Sequence, residues 1–123
     1  MRFSIASALT ATLFFYSAAA RLTADQQQAI DIQNKGRQAK GLPYLVWDNT
    51  LVGTAQLCAN KIAASGNFAH CQSGENLYAQ SGSSASPLPA GATAWMNEAP
   101  LYHNELIPQG DFASYGHYSE YSS

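Results

Sequence analysis

The stretch from Leu51 to Tyr78 reads LVGTAQLCANKIAASGNFAHCQSGENLY, and the fold is decided by how it is read. Leu51, Ala55, Cys58 and Ile62 recur at steps of 4, 3 and 4, which puts them on one face of an α-helix. Val52 and Ala59 widen that stripe. Gly66 supplies the left-handed residue that stops the helix. Cys58 is therefore expected to face a core. Cys71, beyond the helix end, can fold back onto the stripe and pair with it. A bridge closing so short a loop contributes ~2–4 kcal/mol. Two buried free thiols are the alternative.

Upstream, Thr23 followed by Gln26 reads as a capping box. A polar, Gln-rich helix is expected from there to about Ala39, ended by Gly41 and Pro43, with Ala29, Ile32 and Gly36 as its narrow buried stripe. Tyr44-Leu45-Val46-Trp47 forms an apolar anchor before a polar turn at Asp48-Asn49. Downstream, Gln80 to Pro89 is rich in Ser, Gly, Ala and Pro and reads as a mobile loop. Ala90 to Ala99 is expected to be helical, with Ala92, Trp95 and Met96 as its apolar face and Pro100 as its stop. Gly110, Gly116 and the Tyr and Ser residues after Pro100 argue for irregular structure.

At 123 residues the chain is sized for a single domain. Met1-Arg2, the apolar run from Ile5 to Tyr16 and the small residues Ala18-Ala19-Ala20 read as a secretory signal over residues 1–20, leaving a domain over residues 21–123. The apolar run is shorter than the ~20 residues a membrane-spanning helix needs. The expected product is a secreted protein, and an oxidising compartment favours the Cys58–Cys71 pair. With 6 basic and 8 acidic residues, the chain lacks the clustered Lys and Arg of a nucleic-acid footprint.

Only 11% of the residues are charged, so four ionisable side chains stand out: His70, Glu75, Glu98 and His117. Two imidazoles and two carboxylates suit a divalent metal or proton transfer. Their spacing alone does not bring them together, since His70 and Glu75 are five apart and share no helix face. His103 and Glu105 are a third His and a third Glu, with His103 expected at the surface.

The words around these residues carry more than their spacing. Asn67-Phe68-Ala69-His70, Gly74-Glu75-Asn76-Leu77-Tyr78, Ala94-Trp95-Met96-Asn97-Glu98 and Gly116-His117-Tyr118 resemble, in order and separation, the CAP superfamily of cysteine-rich secretory, antigen 5 and pathogenesis-related proteins. Leu45-Val46-Trp47-Asp48 resembles that family's lead-in to its second helix. The likeness runs from about Ala24 to Tyr118 and is most similar to fungal members. It implies an α+β fold, an α-β-α sandwich.

Carried over by position, the resemblance makes His70 and His117 ligands of a divalent metal, zinc in some members. Glu75 and Glu98 become partners that orient the rings or a bound water, and Gly74 and Asn76 shape the turn that aims Glu75. One departure follows Gly116-His117-Tyr118. The family word continues Thr/Ser-Gln-Val/Leu-Val/Ile-Trp into a strand, whereas this chain reads Ser119-Glu120-Tyr121-Ser122-Ser123. The expectation is a domain without its C-terminal strands, with His117 near a frayed end. The function implied is a secreted module for a small lipid or sterol, or for host interaction. A metal-assisted hydrolase with Ser73 or Ser114 as nucleophile is one alternative, and an interaction protein without small ligand is another.

Overall fold

A computed structural model describes residues 21–82 and 86–120. The signal expected over residues 1–20 lies outside the described residues. Among the described residues there are four helices: α1 (Ala24–Ala39), α2 (Asn49–Ser65), α3 (Pro87–Met96) and α4 (Phe112–Ser119), with a 3-10 turn at Ala99–Leu101.

α1 starts at the capping box expected of it. The Thr23 hydroxyl accepts from the Gln26 amide, and the Gln26 side chain accepts from the Thr23 amide. Ala29 is its buried residue, Ile32 and Gly36 of the expected stripe are half-buried, and it lies against α3, where Gly91 and Ala92 are buried. Small residues on both helices let the backbones approach closely. A Cβ on Gly36 would stand 2.1 Å from Met96 Cε, and one on Gly91 would stand 3.2 Å from Tyr78 Cβ. The Ser86 hydroxyl donates to Asp25, tying the start of α3 to the start of α1.

α3 begins at Pro87, inside the stretch expected to be a mobile loop. Proline fits there because its missing N–H falls in the first turn, where an amide has no intrahelical acceptor. The helix ends at Met96, so Pro100 does not stop it. Pro100 sits instead within the following 3-10 turn.

α4 also departs from expectation, since the residues after Pro100 were read as irregular. Its residues are poor helix formers by intrinsic preference, and tertiary packing decides the matter. Tyr115 is fully buried and Tyr118 nearly so, both against Tyr102 with ring centroids 5.1 and 6.0 Å apart. Phe112 meets Tyr115 edge-on, and the Tyr115 hydroxyl donates to the Gln109 carbonyl. Burial raises the pKa of that hydroxyl above its usual 10.0.

α2 stops at the expected Gly66, starts at Asn49 within the expected turn, and has an unexpected environment. The Asp48 carboxylate accepts from the Thr50 and Leu51 amides at 2.7 and 3.4 Å, and Gly66 closes the helix at φ 68°. Only Cys58 is buried along its length. Leu51 is 64% exposed and Leu57 72%, so the apolar stripe does not face a core among the described residues. A Cys58–Cys71 disulfide ties α2 to the loop that follows it, with the two Cα atoms 5.8 Å apart.

The expected α-β-α sandwich is represented by helices, with no strand among the described residues. Two segments show why. Leu45 gives its N–H to Asn34 Oδ1 at 2.6 Å and accepts from Asn34 Nδ2 at 3.0 Å, so a side chain on α1 takes the place of a partner strand. The Leu77 carbonyl accepts from the Trp95 indole at 3.3 Å in the same way. Backbone groups that a ladder would use are thus satisfied by side chains.

Candidate functional site

His117 lies in the last turn of α4 and Glu98 in the link after α3, and the packing of α4 on the turn Ala99–Leu101 brings them together. His117 Nδ1 is 2.7 Å from Glu98 Oε1. The second carboxylate oxygen of Glu98 accepts from the Tyr118 amide at 3.1 Å, which fixes the carboxylate against the helix. The imidazole stacks on the Trp95 indole, ring planes 20° apart and centroids 6.4 Å apart. Trp95, read from sequence as a core residue, is half-buried and also faces His117. His117 thus belongs to an ordered helix.

His70 and Glu75 form a second pair on the loop after α2. His70 Nδ1 is 3.4 Å from Glu75 Oε1. That same oxygen accepts from the Cys71 amide and, at 3.2 Å, from the Gln72 amide. Gly74, at φ 70°, takes the left-handed conformation the loop needs to turn the carboxylate inward. The backbone donors, Cys71 first, hold the Glu75 carboxyl below its usual 4.5, against a smaller opposing effect of burial.

The two pairs are joined by Asn76, whose Nδ2 donates to the His117 carbonyl at 3.0 Å. Sequence reading gave Asn76 a turn-shaping role only. Its contact with a residue 41 positions away has no local signal. Glu120, at the end of α4, joins His70, Ser73 and Glu75 around an open depression of about 470 Å³. The site is therefore two imidazole–carboxylate pairs bridged by an amide. In each, Nδ1 faces a carboxylate, and Nε2 is the ring nitrogen left without that partner's contact.

Among the described residues, the group of three or more metal-capable side chains whose donor atoms lie within 4.8 Å of one another is Cys58, Cys71 and Glu75. His103 is exposed, and its amide donates to the Glu105 carboxylate on a separate loop. Ser114 donates to Asp111 at the start of α4, and Ser73 lines the depression beside His70.

Residues 30–121 match the family model described as CAP, the cysteine-rich secretory protein family. Pathogenesis-related protein 1A of Nicotiana tabacum is 30% identical over 117 residues, covering 91% of this chain and 69% of that protein. Pathogenesis-related protein PR-1 of Medicago truncatula is 36% identical over 93 residues, 72% of this chain and 51% of that protein. Secreted protein RBT4 of Candida albicans is 39% identical over 75 residues, 59% of this chain and 20% of that protein. The chain thus spans between one fifth and about two thirds of the length of these relatives. No solved structure matches it. With the family words in order, the His/Glu pairs built by the fold and the family model matching most of its length, the chain belongs to the CAP family as a pathogenesis-related-like member.

Proposed function

We propose that this chain is a secreted binding module that takes a small lipid or sterol in an encounter between organisms and holds a divalent metal, zinc in kind, between His70 and His117. The observation that carries the metal reading is the pairing of each imidazole, through Nδ1, with its own carboxylate, at 3.4 and 2.7 Å. A carboxylate on Nδ1 fixes the tautomer, orients the ring and raises the basicity of Nε2, the arrangement that supports metal-bound histidines. Neutral nitrogen donors suit a borderline divalent cation, and Glu75 and Glu98 balance its charge. Bound there, the metal would supply a positive centre for an anionic or polar group of a ligand.

Export is supported by the oxidised Cys58–Cys71 pair and by relatives whose names mark them as secreted or pathogenesis-related. No helix of the described residues is long and apolar enough to cross a membrane. For an apolar ligand, an open groove of about 530 Å³ between α1 and α3 offers Pro89, Ala90 and Ala94 as apolar wall, with Gln28 and Asn97 as polar ends. Binding of a labelled sterol to the full chain, with a full-length relative as positive control, tests the lipid part. Saturable binding that an unlabelled sterol displaces is the expected result. Absence of binding by this chain, with the control positive, removes it.

A further inference from the structure

We propose that Tyr44-Leu45-Val46-Trp47 is an open strand edge through which two copies of this chain pair, antiparallel and about a two-fold axis. α1 sets the alternation of this segment. Arg37 Nε donates to the Pro43 carbonyl at 2.6 Å. Asn34 accepts from the N–H of Leu45 and donates to its carbonyl. Arg37 and Asn34 lie three residues apart, on one face of α1. That face takes the backbone groups of residues 43 and 45 together because the segment is extended, where successive residues point to opposite sides. Tyr44 and Val46 therefore direct their N–H and carbonyl groups away from α1, about 6.8 Å apart along the chain. The backbone of neither has a hydrogen-bond partner among the described residues. Tyr44 is 60% exposed and Val46 87%.

Edges of this kind are normally blunted by a lysine, a bulge or a proline. Tyr44-Leu45-Val46-Trp47 carries no charge. Pro43 stands in the phase that faces α1, so its missing N–H costs an incoming strand nothing. Two outward donor–acceptor pairs at alternate residues match the backbone of another extended strand.

Charge selects a second copy of the chain as the source of that strand. One end of the edge has Arg37, held beside Pro43, and the other has Asp48, whose carboxylate is fixed by the Thr50 and Leu51 amides. In an antiparallel pair centred on Leu45, Tyr44 of each copy lies opposite Val46 of the other, and each such pair exchanges both its N–H···O bonds. Tyrosine opposite valine is a favourable aromatic–β-branched pair. The same register sets Arg37 of each copy beside Asp48 of the other. The edge is thus self-complementary, as a two-fold interface requires.

The test is sedimentation velocity of the oxidised full chain over about a hundredfold range of concentration. Amide hydrogen exchange is read at both ends of that range. The expected result is a reversible monomer–dimer equilibrium. As dimer forms, the Tyr44 and Val46 amides gain about tenfold or more in protection, while the Leu45 amide, already bound to Asn34, does not change. Val46→Pro removes an outward donor and keeps Leu45 extended, so helical content stays native and the dimer dissociation constant rises by about tenfold or more. Leu57→Glu, on the exposed side of α2, leaves the dimer unchanged. A chain that stays monomeric throughout overturns the proposal. So does a dimer that Val46→Pro does not weaken, that Leu57→Glu abolishes, or that forms without protection at Tyr44 and Val46. The exchange measurement uses the native chain, so it decides the matter if Val46→Pro fails to fold.

Discussion

At the scale of single residues, Glu75 has the most connections in the site. One of its oxygens accepts from two backbone amides and faces an imidazole, which makes the carboxylate harder to protonate in the folded chain than in the unfolded one. A group with a lowered folded pKa stabilises the fold above its ordinary value, here 4.5, and loses that contribution as the pH falls below it. The denaturation midpoint of the native chain should therefore drop as the pH is taken below 4.5, and that of Glu75→Gln should drop less. Parallel curves for the two proteins would show that the carboxylate does not hold the loop. Asn76→Ala removes the donor to the His117 carbonyl at 3.0 Å and should cost about 1 kcal/mol in a denaturant titration. Glu75 could be found from sequence because a familiar word surrounds it. The Asn76 contact could not, because hydrogen bonding across 41 positions leaves no trace in local spacing.

At the scale of elements, both ends of α1 and the stop of α2 were legible, whereas the ends of α3 and the burial of the α2 face were not. Thr23 with Gln26, and Gly66, act through neighbours three or four residues away, so their signals are local. Asp48, read from sequence only as part of a polar turn, caps the first turn of α2 by accepting from the Thr50 and Leu51 amides. Asp48→Ala should lower stability by about 1 kcal/mol and reduce helical content by circular dichroism. α4 was missed because its formation depends on Tyr115 and Tyr118 meeting Tyr102, a contact made only in the folded chain. Two glycines, Gly36 on α1 and Gly91 on α3, give a contrast in what they face. Gly36 faces the mobile tip of Met96, so Gly36→Ala should be nearly neutral. Gly91 faces the Cβ and ring of Tyr78, so Gly91→Val should destabilise by about 1–3 kcal/mol. Equal losses at the two sites, measured by thermal unfolding, would contradict this packing.

At the scale of the whole molecule, α1, α3 and α4 pack in sequence on one another, and a disulfide joins α2 to the loop that carries His70 and Glu75. The apolar stripe of α2 led to the expectation of a buried helix, yet burial along it reaches only Cys58. Replacing both Cys58 and Cys71 by Ser should cost ~2–4 kcal/mol and lower the unfolding temperature, with α2 losing protection from hydrogen exchange before α1 and α3. The same bond holds the loop of His70 and Glu75 against α2, while Asn76 ties that loop to the end of α4, where Glu120 lines the depression. The central claim is that both imidazoles, each aligned by its own carboxylate, hold one divalent metal. Isothermal titration of zinc into the oxidised full chain at neutral pH tests it most directly, with His70→Ala and His117→Ala run beside the native protein. The expected result is saturable binding that weakens by at least about tenfold in each variant. Zinc binding of equal strength in the native chain and both variants would contradict it.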